Sequence, residues 1–470
     1  MRHFDLCVIG SGSGNSIVDS RFDDLSVALV EGGTFGGTCL NVGCIPTKMY
    51  VYPADLASSP AQAKVLGVDL ELVDVRWPDI RDRIFGRIDA ISEGGRDWRA
   101  SRPNITLFEQ QARFVGDHRL VLEARGDAPA ETITADRFVL AAGSRPVIPP
   151  FPGLDSVAYE TSSTIMRVPA LPRSLVVVGG GYIGAELAHV FASFGTRVTV
   201  VARTPVLLPR SDAQVAERFT RLLSDKVEVR TSSTVTRVRP RPSGGGVVLT
   251  GSGATGEEFE VDADMLLIAT GRVSNADTLD LSTTGVDVDD AGRVVVDEHQ
   301  RTGAPGIYAL GDVSSRYQLK HVANHEARVV RHNLLHPDAL VASDHRFVPH
   351  AVFSDPQVAA VGLTEEEVVA QGLDHAVGVR DYGATAYGWA MGDEDHFVKV
   401  IGDRTTGLLL GAHLVGPQAS SLIQPLIQGM TFGLTAHQIA RGQYWIHPAM
   451  AEVVENALLA LPGPSGSADV

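Results

Sequence analysis

The stretch SLVVVGGGYIGAELAHVFASFGTRVTVVAR, residues 174–203, decides the fold class of this chain. An apolar run leads into a glycine turn, a helical pattern follows, and a second apolar run ends at Ala202. This succession of strand, glycine turn, helix and strand is typical of a dinucleotide-binding unit, in which the pyrophosphate lies at the helix N-terminus. The stretch therefore predicts an α/β protein with a nucleotide site.

The glycines of this unit form a complete G-x-G-x-x-G motif: Gly179, Gly181 and Gly184. After the second strand an acidic residue would select an unphosphorylated ribose, but Ala202 stands there, followed by Arg203 and later Arg210. Guanidinium groups pair well with a 2′-phosphate. We therefore expect a preference for NADPH, the alternative being that both arginines are ordinary solvated side chains.

The N-terminal stretch FDLCVIGSGSGNSIV, residues 4–18, follows the same plan. Gly10 and Gly12 fit the motif, but Asn15 stands where the third glycine belongs. Asn15 puts close packing of helix on strand in doubt, although we still predict a strand, a glycine turn and a helix. Glu31 ends the next strand, where a carboxylate that binds the ribose hydroxyls is expected.

Two further segments resemble each other, FVLAAGSRP (138–146) and LLIATGRVSN (266–275). Together with the glycine motifs they indicate two related, nested Rossmann-like units. The stretch RPRPSGGG (239–246) predicts a hairpin loop. From about residue 345 strands and turns are followed by helices, which predicts an α+β domain. The Pro-, Gly- and Ser-rich tail, 463–470, is expected to be disordered.

The composition excludes several classes of protein. A chain of 470 residues with 44% hydrophobic and 20% charged residues is expected to fold into two to four globular domains. Its net charge of −16 argues against nucleic acid as a partner. We find no signal peptide and no apolar run long enough for a bilayer, and three cysteines cannot form a secreted disulfide scaffold. A cytoplasmic protein is expected.

Two of the three cysteines, Cys39 and Cys44, lie in GGTFGGTCLNVGCIPTKMY, residues 32–50. A disulfide needs Cα atoms about 4.4–6.8 Å apart, whereas residues five apart on an ideal helix are separated by about 8–9 Å. A bridge therefore requires a distorted turn, which Asn41 and Gly43 permit.

A helix is predicted just after this turn, with Pro46 at an early helical position. A helix N-terminus lowers the pKa of a thiol and favours the reactive thiolate. Two free thiols or half a metal site are the alternatives, and the remaining cysteine, Cys7, lies inside a strand, which disfavours a metal site. We therefore interpret Cys39 and Cys44 as a redox pair.

Five motifs together resemble the flavin-dependent pyridine nucleotide–disulfide oxidoreductases, the group of glutathione reductase and lipoamide dehydrogenase: GGTCLNVGCIPTK, VVVGGGYIGAE, LLIATGR, GIYALGD and HPAMAE. The resemblance covers essentially the whole chain. It implies non-covalent FAD in the first unit, NADPH in the second and a homodimer formed by the C-terminal domain. The implied domains are FAD-binding (1–148 and 271–343), NADPH-binding (149–270) and dimerisation (344–462).

The resemblance also implies the cofactor-binding residues. For FAD they are Gly10, Gly12, Gly14, Glu31, Gly32, Gly37, Thr38, Lys48, Ala112, Gly143 and Asp312, with Asp312 holding the ribityl chain. For NADPH they are Gly179, Gly181, Ile183, Gly184, Arg203, Arg210 and Gly271. Lys48 and Glu186 are expected to form an ion pair near the flavin ring.

The implied catalytic residues are Cys39, Cys44, Lys48, Glu186, His447 and Glu452. Cys44 would lie beside the flavin, and Cys39 would attack the substrate disulfide. His447 and Glu452 match the family's dyad, which acts across the dimer on the partner's cysteines. Such a base suits disulfide exchange, because a thiol proton is taken up and returned. The peptide bond between His447 and Pro448 is expected to be cis.

The chain has no second redox cysteine pair near a terminus, so the substrate is expected to be a small disulfide. Asp19, Asp23 and Asp24 beside Arg21 on the predicted first helix disfavour an anionic disulfide. The stretches GSGSGNSI and RTPVLLPRSDAQVAERF resemble the mycothione reductase branch, which acts on a largely uncharged disulfide. The alternatives are a lipoamide dehydrogenase, a glutathione-reductase-like enzyme, or a non-enzymatic flavoprotein subunit of a larger complex.

Four histidines fall at helical spacing on roughly one face: His321, His325, His332 and His336. Histidine pairs at this spacing can bind zinc. No carboxylate or cysteine pattern completes such a site, so a packed or interfacial helix face is the preferred interpretation and no metal is expected.

Overall fold

The computed structural model describes residues 1–463, and its N-terminal part is built on a seven-stranded sheet in the order β3-β2-β1-β6-β5-β4, with β17 beside β6. Its strands are β1 (Arg2–Ile9), β2 (Val27–Val30), β3 (Ile105–Phe108), β4 (Ala112–Gly116), β5 (Arg119–Leu122), β6 (Glu131–Leu140) and β17 (Ile307–Ala309). The helices of this unit are α1 (Gly37–Asn41), α2 (Cys44–Val65), α3 (Trp77–Ala100) and α6 (Lys320–Leu335). Strands β1 and β2 pair in parallel, so their carboxyl ends lie at the same edge of the sheet.

The predicted helix after the first glycine turn is wrong. Two short 3₁₀ turns, Gly14–Ser16 and Ser20–Phe22, take its place. The reason is Arg99 on α3, which is buried and donates to the side chain and carbonyl of Asn15 and to the carbonyl of Val18. These bonds satisfy backbone groups that a helix would have paired internally.

Gly14, rather than residue 15, supplies the close contact that the motif requires. A Cβ at Gly14 would lie 2.7 Å from the Cβ of Ala141, so only glycine fits there. Gly14, the residue before Asn15, therefore provides the close packing that Asn15 had put in doubt.

The second unit has the predicted succession of strand, glycine turn, helix and strand. Its five-stranded parallel sheet has the order β11-β10-β9-β15-β8. The strands are β8 (Glu160–Thr161), β9 (Ser174–Val178), β10 (Arg197–Val201), β11 (Glu228–Arg230) and β15 (Met265–Ile268), and the helices are α4 (Tyr182–Ser193) and α5 (Ala213–Ser224). Glycine contacts at the turn bring the start of α4 onto the end of β9.

Two smaller sheets join and extend these units. An antiparallel sheet contains β12 (Thr234–Pro240), β13 (Val247–Ser252) and β14 (Glu258–Ala263), and its first hairpin confirms the loop predicted at 239–246. The two similar segments pair with each other through β7 (Ser144–Pro146) and β16 (Arg272–Ser274). This ribbon lies where the chain passes between the nested units.

The C-terminal part is α+β, as predicted, with a five-stranded antiparallel sheet in the order β18-β19-β22-β21-β20. The strands are β18 (His350–Val352), β19 (Val358–Gly362), β20 (His375–Asp381), β21 (Phe397–Asp403) and β22 (Leu409–Val415). The helices are α7 (Glu365–Ala370), α8 (Ala386–Met391), α9 (Ala419–Leu422), α10 (Gln424–Thr431), α11 (Ala436–Arg441) and α12 (Glu452–Leu459). The domain boundaries stay a prediction, and residues 464–470 of the predicted disordered tail lie outside the described residues.

None of the helices within residues 1–463 combines the length and apolarity needed to cross a bilayer.

A buried ion pair fastens the second unit to the C-terminal sheet. Lys399 on β21 and Asp212, which caps α5, are both fully buried, and the lysine Nζ lies 2.9 and 2.8 Å from the two carboxylate oxygens. A second carboxylate, that of Glu365, lies 2.6 Å from the same nitrogen. Burial is the largest effect on Asp212 and raises its pKa, but the hydrogen bond from Lys399, together with nearby positive charge and the N–H of Glu365, lowers the pKa overall.

We expect Lys399→Met to lower the free energy of unfolding by about 3–5 kcal/mol, because it leaves a buried carboxylate without its cation. Chemical denaturation measures the change. The matched control is Lys226→Met, which removes an exposed ion pair to Asp355 between the same two parts of the chain and should cost at most about 1 kcal/mol. Equal losses in the two variants would contradict the special role of the buried pair.

Candidate active site

The two helices that carry the cysteines are separated by a sharp break. Cys39 lies in α1 and Cys44 is the first residue of α2. At Gly43, between them, a Cβ would lie 2.9 Å from the carbonyl oxygen of Thr38 and 3.3 Å from the Cα of Cys39. The missing side chain lets the chain fold back and brings the two thiols close enough to shift each other's pKa. The predicted distorted turn is confirmed, and both cysteines are free thiols in this structure.

Side chains on either side of the break hold the turn. The buried amide of Asn41 donates to the carbonyl oxygens of Phe35, at 2.9 Å, and Gly37, at 3.0 Å. The hydroxyl of Thr47 donates to the carbonyl of Gly43 at 2.7 Å. Pro46 is buried in the first turn of α2, as predicted. The separation of the two sulfurs is therefore set by backbone contacts and short polar side chains.

The pKa values of the two thiols are shifted in opposite directions. The hydrogen bond from Cys39 and the nearby charge of Lys48, acting against burial, together lower the pKa of Cys44 from 9.0 to about 7. The same hydrogen bond raises the pKa of Cys39, and burial adds to the increase. Near neutral pH Cys44 is therefore the sulfur that ionises, and Cys39 keeps its proton.

The structure brings Lys48 and Glu186 together, as predicted. The lysine Nζ lies 2.7 and 2.6 Å from the two oxygens of the Glu186 carboxylate, which is buried on α4. The backbone N–H of Phe353, from the C-terminal part, donates to the same carboxylate at 2.9 Å, and its ring lies 4.5 Å from the lysine Nζ. All three parts of the chain therefore meet beside Cys44.

The first glycine loop and the redox turn are in direct contact. Gly10 has φ 107° and lies against the carbonyl of Ala141, where a Cβ would come within 2.2 Å. Gly37, with φ 70°, leaves no room for a side chain, because its Cβ would lie 2.7 Å from the Cα of Gly12. A dinucleotide bound at this loop would therefore lie next to the turn that carries Cys39.

Glu31 follows β2 and faces the glycine loop. Its carboxylate accepts hydrogen bonds from the backbone and hydroxyl of Ser11, at 2.9 and 2.5 Å, and from the N–H of Gly33 at 2.7 Å. The Ser11 hydroxyl in turn accepts from the N–H of Gly36 at 2.8 Å. Sequence reasoning missed Ser11, although a short polar residue between Gly10 and Gly12 was a signal for such a link.

The other residues predicted to bind FAD lie around the same edge of the sheet. Asp312 accepts a 2.6 Å hydrogen bond from the hydroxyl of Ser144. Gly143 has φ 71° and open space where its Cβ would stand, so packing alone does not explain the glycine. Gly32 lies under the amide of Gln111, Thr38 is in α1, and Ala112 is buried in β4. This combination of open glycine backbone and flanking carboxylates fits FAD.

The glycines of the second turn fall into two groups: those that close packing requires and those that face open space. At Gly179 and Gly184 a Cβ would lie 2.2 Å from a backbone oxygen, so both glycines are required by packing. Gly181 at the start of α4 and Gly271, with φ 127°, face open space instead. Ile183 packs its side chain partly into the core. The open glycines at a helix N-terminus fit the pyrophosphate of NADPH.

Arg203 and Arg210 are both exposed beyond the end of β10. Across residues 1–463 neither guanidinium takes part in an ion pair or a hydrogen bond. Both are thus free to meet an added anion.

The His447–Glu452 pair is formed. The imidazole Nδ1 lies 2.5 Å from the Glu452 carboxylate, and the ring is 71% exposed, which leaves Nε2 open. The peptide bond before Pro448 is cis, as expected. Tyr444 and Ile446 beside it are also exposed. In one chain, over the described residues, no hydrogen bond joins this dyad to either cysteine.

The four histidines of α6 and its end do not meet at one point, although the rings of His332 and His336 lie 4.7 Å apart. His321 bonds the carbonyl of Pro349, His332 bonds that of Ala339, and His325 accepts from the N–H of Asp344. Over residues 1–463 no group of three or more His, Cys, Asp or Glu side chains is arranged for a metal ion. These contacts fit the packed helix face that the sequence favoured.

Two of the three acidic residues near the first glycine turn, Asp19 and Asp23, form ion pairs with arginines. Asp19 pairs with Arg21 and Arg331, and Asp23 pairs with Arg102. Because the charges of Asp19 and Asp23 are largely neutralised, the acidic residues are only weak evidence against an anionic substrate. The choice of substrate must therefore rest on other observations.

A thiol pair of unequal acidity beside one dinucleotide site, with a second such site in the same chain, defines a pyridine nucleotide-dependent disulfide oxidoreductase. Residues 4–327 match the pyridine nucleotide-disulphide oxidoreductase family, and residues 348–458 match the dimerisation domain of that family. The chain belongs to this family, and membership implies FAD and NADPH.

Among its relatives is the mycothione reductase of Mycobacterium tuberculosis, 55% identical over 468 residues, which cover 98% of this chain and 100% of that protein. The dihydrolipoyl dehydrogenase of Halobacterium salinarum is 34% identical, covering 96% and 95%. Among solved structures, a Cu(II) complex of the HOCl-induced flavoprotein disulfide reductase RclA from Escherichia coli superposes with a TM-score of 0.86 at 28% identity, covering 98% and 99%. The lipoamide alternative is thus less supported than a mycothione reductase-like enzyme.

Proposed function

We propose that this protein is a cytoplasmic, homodimeric, NADPH-dependent reductase of mycothione, the disulfide of mycothiol. The observation that carries the reaction is the Cys39–Cys44 pair, in which the pKa of the Cys44 thiol is lowered to about 7. The substrate is supported by the 55% identity to a mycothione reductase over the whole chain, against 34% to a dihydrolipoyl dehydrogenase. A reducing compartment suits a protein with three cysteines.

The glycine loop around Gly12, with Glu31 and Asp312, would hold FAD, and the turn around Gly181, with Arg203, would hold NADPH. When bound, FAD supplies the transfer of an electron pair from NADPH to the Cys39–Cys44 disulfide. The buried Glu186 holds the ammonium of Lys48 beside this site, where its charge favours the Cys44 thiolate.

Exchange with the substrate then uses the reduced pair. The Cys39 sulfur, as a thiolate, attacks the substrate disulfide, so that a Cys39–substrate bond forms and the substrate S–S bond breaks. The Cys44 thiolate next attacks the Cys39 sulfur, which restores the Cys39–Cys44 bond and releases the second thiolate. The pair has then lost two electrons and the proton of Cys39, and the second released thiolate takes its proton from solvent.

The protons are handled by His447 of the partner subunit in this proposal. Glu452 holds its Nδ1, so the exposed Nε2 can take the Cys39 proton and return it to the departing thiol. The exposure of His447, Tyr444 and Ile446 in a single chain supports a surface that a second subunit covers.

A panel assay tests the substrate. With NADPH as donor, the enzyme should reduce mycothione with a kcat/KM at least about tenfold higher than for glutathione disulfide or lipoamide, since a site shaped for a sugar thiol binds that transition state best. Cys39→Ser is the control and should lose all turnover. A preference for lipoamide would point to a dihydrolipoyl dehydrogenase instead.

The coenzyme preference should depend on Arg203 and Arg210. Replacing both with Gln should raise the KM for NADPH and leave that for NADH nearly unchanged, because each lost contact to the 2′-phosphate costs on the order of 1.5–3 kcal/mol. Arg237→Gln, on an exposed position of β12, serves as the control. An unchanged NADPH/NADH ratio would show that the two arginines are ordinary solvated side chains.

Subunit mixing tests whether His447 acts across the dimer. Cys39→Ser and His447→Ala should each be inactive, and in a mixed dimer one site carries both defects while the other carries neither. Random exchange should therefore restore about a quarter of wild-type activity. His447→Ala alone should still accept electrons from NADPH. Verified exchange without recovered activity would mean that His447 acts within its own chain or has no role.

A further inference from the structure

Lys320, a residue that the sequence motifs do not single out, is fixed beside the first glycine loop. It is the first residue of α6 and is half-buried. Its Nζ donates to the hydroxyl of Ser13 at 2.8 Å, and this hydroxyl donates to the side chain of Asn324 on the same helix at 3.3 Å. Ser13 is buried. The ammonium is therefore held at a defined place rather than extended into solvent.

That place is close to Cys39. Ser13 follows Gly12, whose Cα packs against Gly37, and Cys39 lies two residues further along α1. The charge of Lys320 lowers the pKa of the Cys39 thiol, against the larger effects of the Cys44 hydrogen bond and of burial. The charge of Lys48 likewise lowers the pKa of Cys44, so a different lysine favours the ionisation of each thiol.

We propose that Lys320 is a positioning residue for catalysis, whose ammonium, held by Ser13, stabilises the negative charge on the Cys39 sulfur before it attacks the substrate disulfide. The proposal rests on the proposed role of Cys39 as the attacking thiol. When the thiol proton leaves to the base, the sulfur carries a full negative charge in a half-buried turn. A fixed cation nearby compensates that charge until the new S–S bond forms.

The groups that act on the Cys39 sulfur come from two other elements. Cys44, at the start of α2, opposes ionisation of Cys39 by its own negative charge, whereas Lys320, on α6, favours it. Lys48 and Glu186 act on Cys44. Replacing Cys44 by serine removes the opposing thiolate, so the effect of Lys320 can be measured alone.

The test uses the FAD-loaded enzyme carrying Cys44→Ser, with and without Lys320→Met, and follows alkylation of Cys39 by iodoacetamide against pH. Mass spectrometry of the Cys39 peptide gives the rate, and the fully buried Cys7 does not interfere. Loss of the cation should move the profile to higher pH by about one unit and slow alkylation at pH 7 by about tenfold. Lys320→Arg should restore most of the wild-type profile.

Arg316→Met is the matched control, because it removes one positive charge from the segment before α6, where the guanidinium contacts only the neighbouring Tyr317. It should leave the alkylation profile unchanged. An unaltered profile in Lys320→Met would overturn the proposal. An equal shift in Arg316→Met would also overturn it. A loss of bound FAD from Lys320→Met without any shift would do the same, because it would mean that the ammonium binds the phosphates of the cofactor.

The result does not depend on the substrate. Alkylation of Cys39 needs neither mycothione nor NADPH, so a failed substrate assay and a failed Lys320 test are distinguishable. If Cys39→Ser kept turnover, the proposed function would fail while the measured effect of Lys320 on the thiol would stand.

Discussion

The contact between the backbones of Gly12 and Gly37 determines how the first dinucleotide site and the redox turn are related. A single methyl group at Gly37 would lie 2.7 Å from the Gly12 Cα, so the two segments meet without any side chain between them. Because the turn rests directly on the glycine loop, Cys39 and Cys44 lie next to the place where a dinucleotide binds. The access of the thiols to electrons from that dinucleotide follows from this contact.

Inside the turn a second glycine contact creates an asymmetric pair. Gly43 lets α2 start against the Cα of Cys39, and the resulting thiol–thiol hydrogen bond gives Cys44 a pKa of about 7 and raises that of Cys39. One proton is shared between two sulfurs, so one of them ionises at a lower pH than the other. Two chemically identical residues thereby differ in acidity.

The ion pair of Lys48 and Glu186 connects this chemistry with the rest of the chain. Lys48 comes from the helix of the redox turn, Glu186 from the helix after the second glycine turn, and Phe353 from the C-terminal part donates its N–H to the carboxylate. The buried Lys399–Asp212 pair holds the second unit and the C-terminal sheet in register. Moving either part would therefore disturb the charge beside Cys44.

Local patterns in the residue order were sufficient for the nested nucleotide units and the distorted cysteine turn, because each depends on neighbours along the chain or on glycines whose role is local. The His447–Glu452 pair followed from the resemblance to the family and not from the local pattern. The first helix could not be predicted correctly, since Arg99, far away in sequence, replaces it with 3₁₀ turns by bonding to Asn15 and Val18. The acidities of Cys39 and Cys44, the link through Ser11 and the place of Lys320 also needed the folded chain. Electrostatic and hydrogen-bonding partners are chosen by distance in space, and the fold alone brings α6, α4 and the glycine loop around one pair of sulfurs.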